Sequence, residues 1–254
     1  IVALTRRLAQ VPGVRDLSMS TNGALLAPLA RDLARAGLRR VNISLDTLHP
    51  ERFKALTRFG DLDAVLEGID AAAAAGLGPL KLNVVVVRGL NDSEIPDFVA
   101  LTERRSLHVR FIELMPMGDT GFYSEARRVP LPEMRAAAGR LEAVAEAEKP
   151  EGGGPARVYR RPGAAGTVGF ISALSCGFCD ACNRVRLTAQ GTLHPCLDGA
   201  EGVDLRGPLR SGLDERGLAG LIEGALSRKP RGHDMASRAE AGGAGSRFMC
   251  QTGG

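Results

Sequence analysis

Hydrophobic positions change period repeatedly along the first half of the chain. Leu4 to Gln10 repeats at helical spacing and stops at Val11-Pro12-Gly13, and Asp16 to Ser20 reads as a short strand. Thr21-Asn22-Gly23 turns into a helix expected from Ala24 to Ala36, closed by Gly37, before a strand from Arg39 to Leu45. Pro50 opens another helix, and Leu62 to Ala75 gives a further one that Gly76 ends. Lys81 to Val87 is β-branched and nearly continuous, as in a strand covered on both sides. Asp92-Ser93-Glu94 caps the next helix, and His108 to Leu114 is the following strand. Repeating β–α units of this length predict a parallel sheet with helices outside it, either a barrel or a doubly wound sheet.

The pattern changes after Met117-Gly118. Leu131 to Glu148 reads as one Ala/Glu-rich helix, Glu151 to Pro155 as a loop, and Val158 to Arg161 and Val168 to Ser172 as short strands. Beyond Leu213 one helix is expected, followed by a Gly/Ala/Ser-rich stretch to Gly254 with little regular structure. The expected division is therefore 1–118, a β/α region, and 119–254, an α+β region.

Composition adds bounds. With 254 residues, 44% of them hydrophobic, the chain can bury a sizeable core. The net charge of +4 is scattered rather than gathered in a run, and Trp is absent. A local anionic ligand therefore fits better than a nucleic-acid surface. No apolar run reaches the ~20 residues of a membrane span, and the opening Ile-Val-Ala-Leu is too short for a signal peptide. A cytoplasmic location is the expectation. The chain opens on Ile1, within an amphipathic helix, and is read as beginning partway into its first β/α unit.

Four of the five cysteines lie between Cys176 and Cys196. Clustering without a secretory signal favours metal binding over disulfides. Cys179 and Cys182 can face one centre from a turn, and Cys196 returns after a hairpin-like excursion around Gln190-Gly191. Soft thiolates in this spacing suit a closed zinc site or an iron–sulfur cluster, and spacing does not separate the two. His194 is a further zinc-ligand candidate. Arg184 and Arg186 alternate, so both point to one side of a strand and offer bidentate contacts to a carboxylate or phosphate.

Ser20, within Ser-Thr-Asn-Gly, and Ser44, within Asn-Ile-Ser-Leu-Asp, stand at strand ends where parallel α/β folds place ligands. Lys81 and Arg110 are charges inside apolar strands, costly without a ligand or partner; Glu113 is one candidate partner. Met115, in Met-Pro-Met-Gly, follows the strand of Arg110.

Taken together, these stretches resemble the GTP 3′,8-cyclases, radical S-adenosylmethionine (SAM) enzymes of molybdenum-cofactor biosynthesis. The matching segments run in order: 20–23, 41–48, 81–85, 110–118, 178–188 and the closing Gln-Thr-Gly-Gly. The resemblance implies an incomplete (β/α) TIM-like barrel with a C-terminal region that carries a second [4Fe–4S] cluster. Cys179, Cys182 and Cys196 match that cluster's ligands, leaving one iron open to the guanine of GTP. Lys81, Arg110, Arg184 and Arg186 match GTP-binding positions, Ser20, Ser44 and Met115 match SAM-binding ones, and Gly253 and Gly254 match a tail that enters the active site. No individual catalytic residue follows. The implied chemistry is a lyase reaction. A 5′-deoxyadenosyl radical takes hydrogen from C3′ of GTP, C3′ attacks C8, and the first intermediate of molybdopterin synthesis results. Implied partners are an electron donor such as flavodoxin or ferredoxin, and cyclic pyranopterin monophosphate synthase downstream. The oligomeric state is left open, a homodimer included, and neither membrane nor nucleic acid is an expected partner.

The sequence departs from the family in two places. The CxxxCxxC motif of the first, SAM-cleaving cluster is absent from these residues, so only the second site is present and the chain alone is expected to be inactive. Cys176 precedes the first matched ligand as an extra thiol. Two other readings stand beside the cyclase: a zinc-stabilised nucleotide- or protein-binding module, and a radical SAM peptide-modifying enzyme with an auxiliary cluster.

Overall fold

The computed structural model describes residues 1–240, apart from 119, 153 and 200, together with residue 248. Two compact units emerge: Ile1–Glu113 with Val129–Ser172, and Leu114–Arg128 with Ala173–Gly254. The chain thus leaves the first unit near the expected junction at 118 and returns to it for 44 residues (129 to 172) before entering the second for good.

The first unit is built from α1 (Val2–Ala9), β1 (Ser18–Thr21), α2 (Leu26–Arg35), β2 (Arg40–Ser44), α3 (Pro50–Thr57), α4 (Leu62–Ala74), β3 (Leu80–Val86), α5 (Ile95–Arg104) and β4 (Leu107–Glu113). After the excursion follow α6 (Leu131–Ala137), β5 (Glu142–Ala143), β6 (Arg157–Arg160) and β7 (Thr167–Ile171). The strands form one sheet in the order β1-β2-β3-β4-β7-β6-β5. Pairs from β1 to β7 are parallel, while β6 and β5 are added antiparallel at the far edge. This is the α/β architecture expected, an incomplete β/α barrel with one contribution from beyond residue 118.

Local chemistry accounts for the elements. Asp61 caps α4 by accepting from Asp63 N at 3.0 Å, and Pro50 opens α3 where its missing N–H costs nothing. The long helix expected over 131–148 is not formed. Gly139, at φ +75°, closes α6 after Ala138, in a conformation that a side chain would strain. Glu142-Ala143 then pairs with Tyr159-Arg160, so sheet pairing overrides the high helix propensity of the Ala/Glu run.

Strand parity sorts the sheet into two faces. Val41, Ile43, Leu82, Val84, Val109, Phe111, Val168 and Phe170 occupy one and are buried. Phe98 of α5 meets Phe111 edge-on at 6.3 Å, which places a helix on this side, and Phe111 lies 5.8 Å from Phe170. The opposite face carries polar and charged side chains, described below.

The second unit contains β8 (Arg186–Leu187), β9 (Thr192–His194) and β10 (Val203–Asp204), an antiparallel sheet in the order β10-β9-β8. It also holds α7 (Arg206–Arg210), α8 (Glu215–Ser227) and α9 (Met235–Glu240). Leu193, Leu205 and Ala225 form its small core, with Leu218, Leu221 and Ile222 of α8 packed against it. Among the described residues no helix is long and apolar enough to cross a membrane.

Candidate functional site

The register turns four sequence candidates into one surface. Ser20 pairs with Asn42, Asn42 with Lys81, Lys81 with His108 and His108 with Thr167, forming one lateral row. Two residues further along each strand, Ser44, Asn83, Arg110 and Gly169 form the next. Directly paired side chains share a face, so Ser20, Ser44, Lys81 and Arg110 all belong to the polar one. Glu113, three residues from Arg110 on β4, falls on the other face, which removes it as the partner considered for Arg110.

Lys81 is 0% exposed. Burial, and then the nearby Arg110 and Arg40, pull its pKa down to about 7. Its ammonium donates to the Glu151 carbonyl. Arg110 is drawn down to about 10 by burial and by Arg40. Arg40, on the row before Lys81, donates through Nε to both carboxylate oxygens of Asp16 at 3.0 and 3.1 Å. That contact holds Asp16 below the usual carboxylate range. Gly152 lies against the Arg40 guanidinium and Gly154 beside that of Arg110. Three like charges so close are mutually repulsive and favour an anionic ligand.

The strand-end loops are braced. Asp46 accepts from Val85 N at 2.8 Å, and Asn91 Nδ2 donates to the carbonyls of Asp46 and Val85 at 2.7 and 2.9 Å. Burial pushes the Asp46 carboxyl up, partly opposed by the Val85 N–H. Glu94, 1% exposed, accepts from Thr47 Oγ1 and Leu48 N at 2.7 Å each, and from Arg52. After β1, Gly23 takes φ +81° and donates to Thr21 Oγ1 at 3.1 Å; a Cβ there would stand 2.9 Å from Val65 Cγ1.

In the second unit, Cys179 opens a 3₁₀ turn over 179–181, Cys182 follows it, and Cys196 lies just beyond β9. With Cys176 they are half-buried thiols, not disulfides. Burial raises the Cys179 pKa, and the Cys196 and Cys182 sulfurs, close enough to act on it, raise it further. Three sulfur donors near enough to act on one another suit a cationic multi-iron centre, which would favour their ionised form, so the donor set fits an iron–sulfur cluster. Burial also opposes ionisation of Cys182, but the Arg184 backbone and guanidinium and the Lys229 ammonium outweigh it and set its pKa below normal. Arg184 Nη2 and Lys229 Nζ each lie 3.6 Å from Cys182 Sγ. Among the described residues, no three His, Cys, Asp or Glu side chains form a group able to hold a single metal ion.

Arg184 and Arg186 are both half-buried while Val185 and Leu187 are exposed, the alternation expected from sequence. The Arg184 guanidinium sits 5.0 Å from the Phe178 ring centre, and Arg186 pairs with His194 across β8 and β9. His194 Nδ1 contacts the Glu201 carbonyl at 3.1 Å. Met115 lies in the second unit, two residues beyond β4. Gly253, Gly254 and Cys250 are outside the described residues, although Phe248 packs against Gly118.

Sequence reasoning passed over Arg40, Asn42, Asn83, His108 and Lys229. The first four share strand parity with Lys81 and Arg110, a signal available once the register is known. Asn42 Oδ1 and Asn83 Oδ1 are buried on this face without a hydrogen-bond partner among the described residues. Lys229 is brought to Cys182 from 47 residues away and carries no local signal.

Residues 1–102 match the radical SAM superfamily, and residues 107–235 match the family described as Molybdenum Cofactor Synthesis C. An iron–sulfur cluster and SAM define the first of these. The GTP 3′,8-cyclase of Pelotomaculum thermopropionicum is 48% identical over 233 residues, covering 91% of this chain and 72% of its own. Those of Heliobacterium modesticaldum and Gloeobacter violaceus are 48% and 47% identical, each covering 100% of this chain, and 77% and 78% of their own. The chain therefore belongs to the GTP 3′,8-cyclase family of radical SAM proteins.

Proposed function

We propose that the chain serves the conversion of GTP to 3′,8-cyclo-7,8-dihydro-GTP, the first step of molybdopterin cofactor biosynthesis. The observation that carries this reading is the polar sheet face, where Lys81 and Arg110 stand in adjacent rows beside Ser20 and Ser44. Lys81 and Arg110 hold the phosphates. Ser20 and Ser44, with Met115 after β4, contact SAM. In the second unit Cys179, Cys182 and Cys196 hold the auxiliary [4Fe–4S] cluster. Arg184 and Arg186 orient GTP beside it, their charge matched to phosphate or to the electron-rich edge of the base. When bound, the clusters and SAM supply the one-electron chemistry; the protein binds, orients and keeps out water.

The division of labour follows residues 1–118 for the SAM half and 119–254 for the auxiliary cluster, with strands 142–143, 157–160 and 167–171 completing the sheet. The resemblance alone supports a role for Gly253 and Gly254 in a tail at the site. A small electron-transfer protein such as flavodoxin or ferredoxin feeds the reaction, cyclic pyranopterin monophosphate synthase takes the product, and the setting is cytoplasmic.

Anaerobic reconstitution with iron and sulfide, followed by GTP titration, tests the reading. About four irons per chain on the Cys179 set, with GTP affinity lost in Lys81→Ala and Arg110→Ala, is the expected result. Zinc without iron, or no GTP binding by the iron-loaded chain, sinks it.

A further inference from the structure

At the base of the polar face lies a cavity of about 220 Å³, contained within the first unit. Its walls include His108, Arg110, Glu146, Lys149, Glu151 and Thr167. It is smaller than the roughly 300–1,000 Å³ of pockets that enclose whole drug-sized ligands, so it suits one end of a nucleotide. The geometry points to His108, held by Thr167, as the residue that reads the terminal phosphate of the triphosphate and so separates GTP from GDP. This rests on the GTP reading above and adds a specificity residue to it.

His108 and Thr167 are register partners on β4 and β7, and His108 Nδ1 lies 2.8 Å from Thr167 Oγ1. Thr167 is buried, 3% exposed. The inferred role takes the tautomer in which the threonine hydroxyl donates to Nδ1, which puts the ring proton on Nε2 and leaves one donor for a ligand. Burial, then Lys81, Arg110 and Arg160, hold the His108 pKa down to about 4, so the imidazole is neutral at physiological pH. A neutral donor beside two cations adds a directed hydrogen bond without adding repulsion. The acidic wall is partly occupied, since Glu146 is paired with Lys149. Lys81 stands on the same row as His108.

Calorimetric titration of the full chain with GTP and with GDP tests the assignment. Wild-type protein should prefer GTP. His108→Leu should lose about tenfold in GTP affinity, the scale of one hydrogen bond to a charged group, while GDP affinity stays within about twofold. His108→Gln, which keeps a neutral donor, should restore much of the preference. Thr167→Ala should reduce the GTP-to-GDP ratio, and Thr167→Ser should not. A ratio unchanged in His108→Leu, or equal losses for both nucleotides, overturns the inference while leaving GTP binding intact. Absence of binding to either nucleotide by wild type removes the substrate reading itself, and the inference with it. A measurement independent of folding in the variants is ¹⁵N-histidine NMR of wild type. GTP, but not GDP, should shift the His108 Nε2 resonance; a resonance indifferent to GTP overturns the role.

Discussion

Lys81 and Arg110 stand one register step apart on the same face of neighbouring parallel strands, Lys81 opposite His108 and Arg110 opposite Asn83. Arg110 is the largest charge lowering the Lys81 pKa, after burial itself, while Arg110 is lowered by burial and by Arg40. The pair is unfavourable for the free protein and suited to an anion, a conflict often found where a ligand belongs.

A measurable stability cost follows. The folded pKa of Lys81 is about 7 against an ordinary 10.5, so between those values the unfolded chain binds more protons than the folded one. Stability from this group therefore rises with pH through that window and is lowest below about pH 7. Lys81→Met should melt at a higher temperature than wild type at about pH 6, and the gap should close towards pH 10. Thermal melts across pH, without nucleotide, decide it; a variant less stable at every pH contradicts the account.

If Lys81 holds the phosphates as proposed, the same group sets the pH dependence of nucleotide affinity. A triphosphate favours charged Lys81, so binding near pH 8 should take up a proton, and affinity should fall as pH rises beyond about 7. Lys81→Arg should flatten the dependence because a guanidinium stays charged. Calorimetry in buffers of different ionisation heats measures the uptake directly; none in wild type would count against it.

Arginine and cysteine changes should separate by readout. Arg184→Ala with Arg186→Ala is expected to lower GTP affinity at least tenfold, the scale of lost charge-assisted contacts, with iron content retained. Cys179→Ala, Cys182→Ala and Cys196→Ala should each lose iron, whereas Cys176→Ala should keep it. Iron and sulfide analysis beside GTP titration distinguishes the two sets.

Lys229 donates to the Arg184 carbonyl at 2.7 Å and lies 3.6 Å from Cys182 Sγ. Lys229→Met removes a positive charge beside Cys182, a proposed cluster ligand. Its reduction potential should become more negative, on the order of tens of millivolts, and chelators should strip iron faster. Potentiometric titration followed by electron paramagnetic resonance provides the value; an unchanged potential rules out this electrostatic role.

Gly23→Ala meets both a positive φ and the Val65 side chain. A loss of roughly 1–3 kcal/mol in denaturant unfolding is expected, the scale of a strained backbone position. Full stability would show that α4 shifts to make room.

Much of this protein is written in short-range pattern. The β–α alternation of residues 16–114 and the alternation of Arg184 with Arg186 depend on neighbours a few residues apart, and the Cys179-Cys182 spacing does too, so each is legible before folding. The helix expected over 131–148 failed because Glu142-Ala143 found a strand partner at Tyr159-Arg160, and pairing with a distant strand leaves no trace in local propensity. The same limit applies at the site. Residue types marked Lys81 and Arg110 as charges needing a partner, but only the register shows that they share a face with Ser20, Asn42, Ser44, Asn83 and His108. It also shows that Glu113 does not. Side-chain parity along one strand is a sequence property. Which strands lie side by side, in what offset, and which lysine 47 residues away reaches a thiol are decided by packing alone.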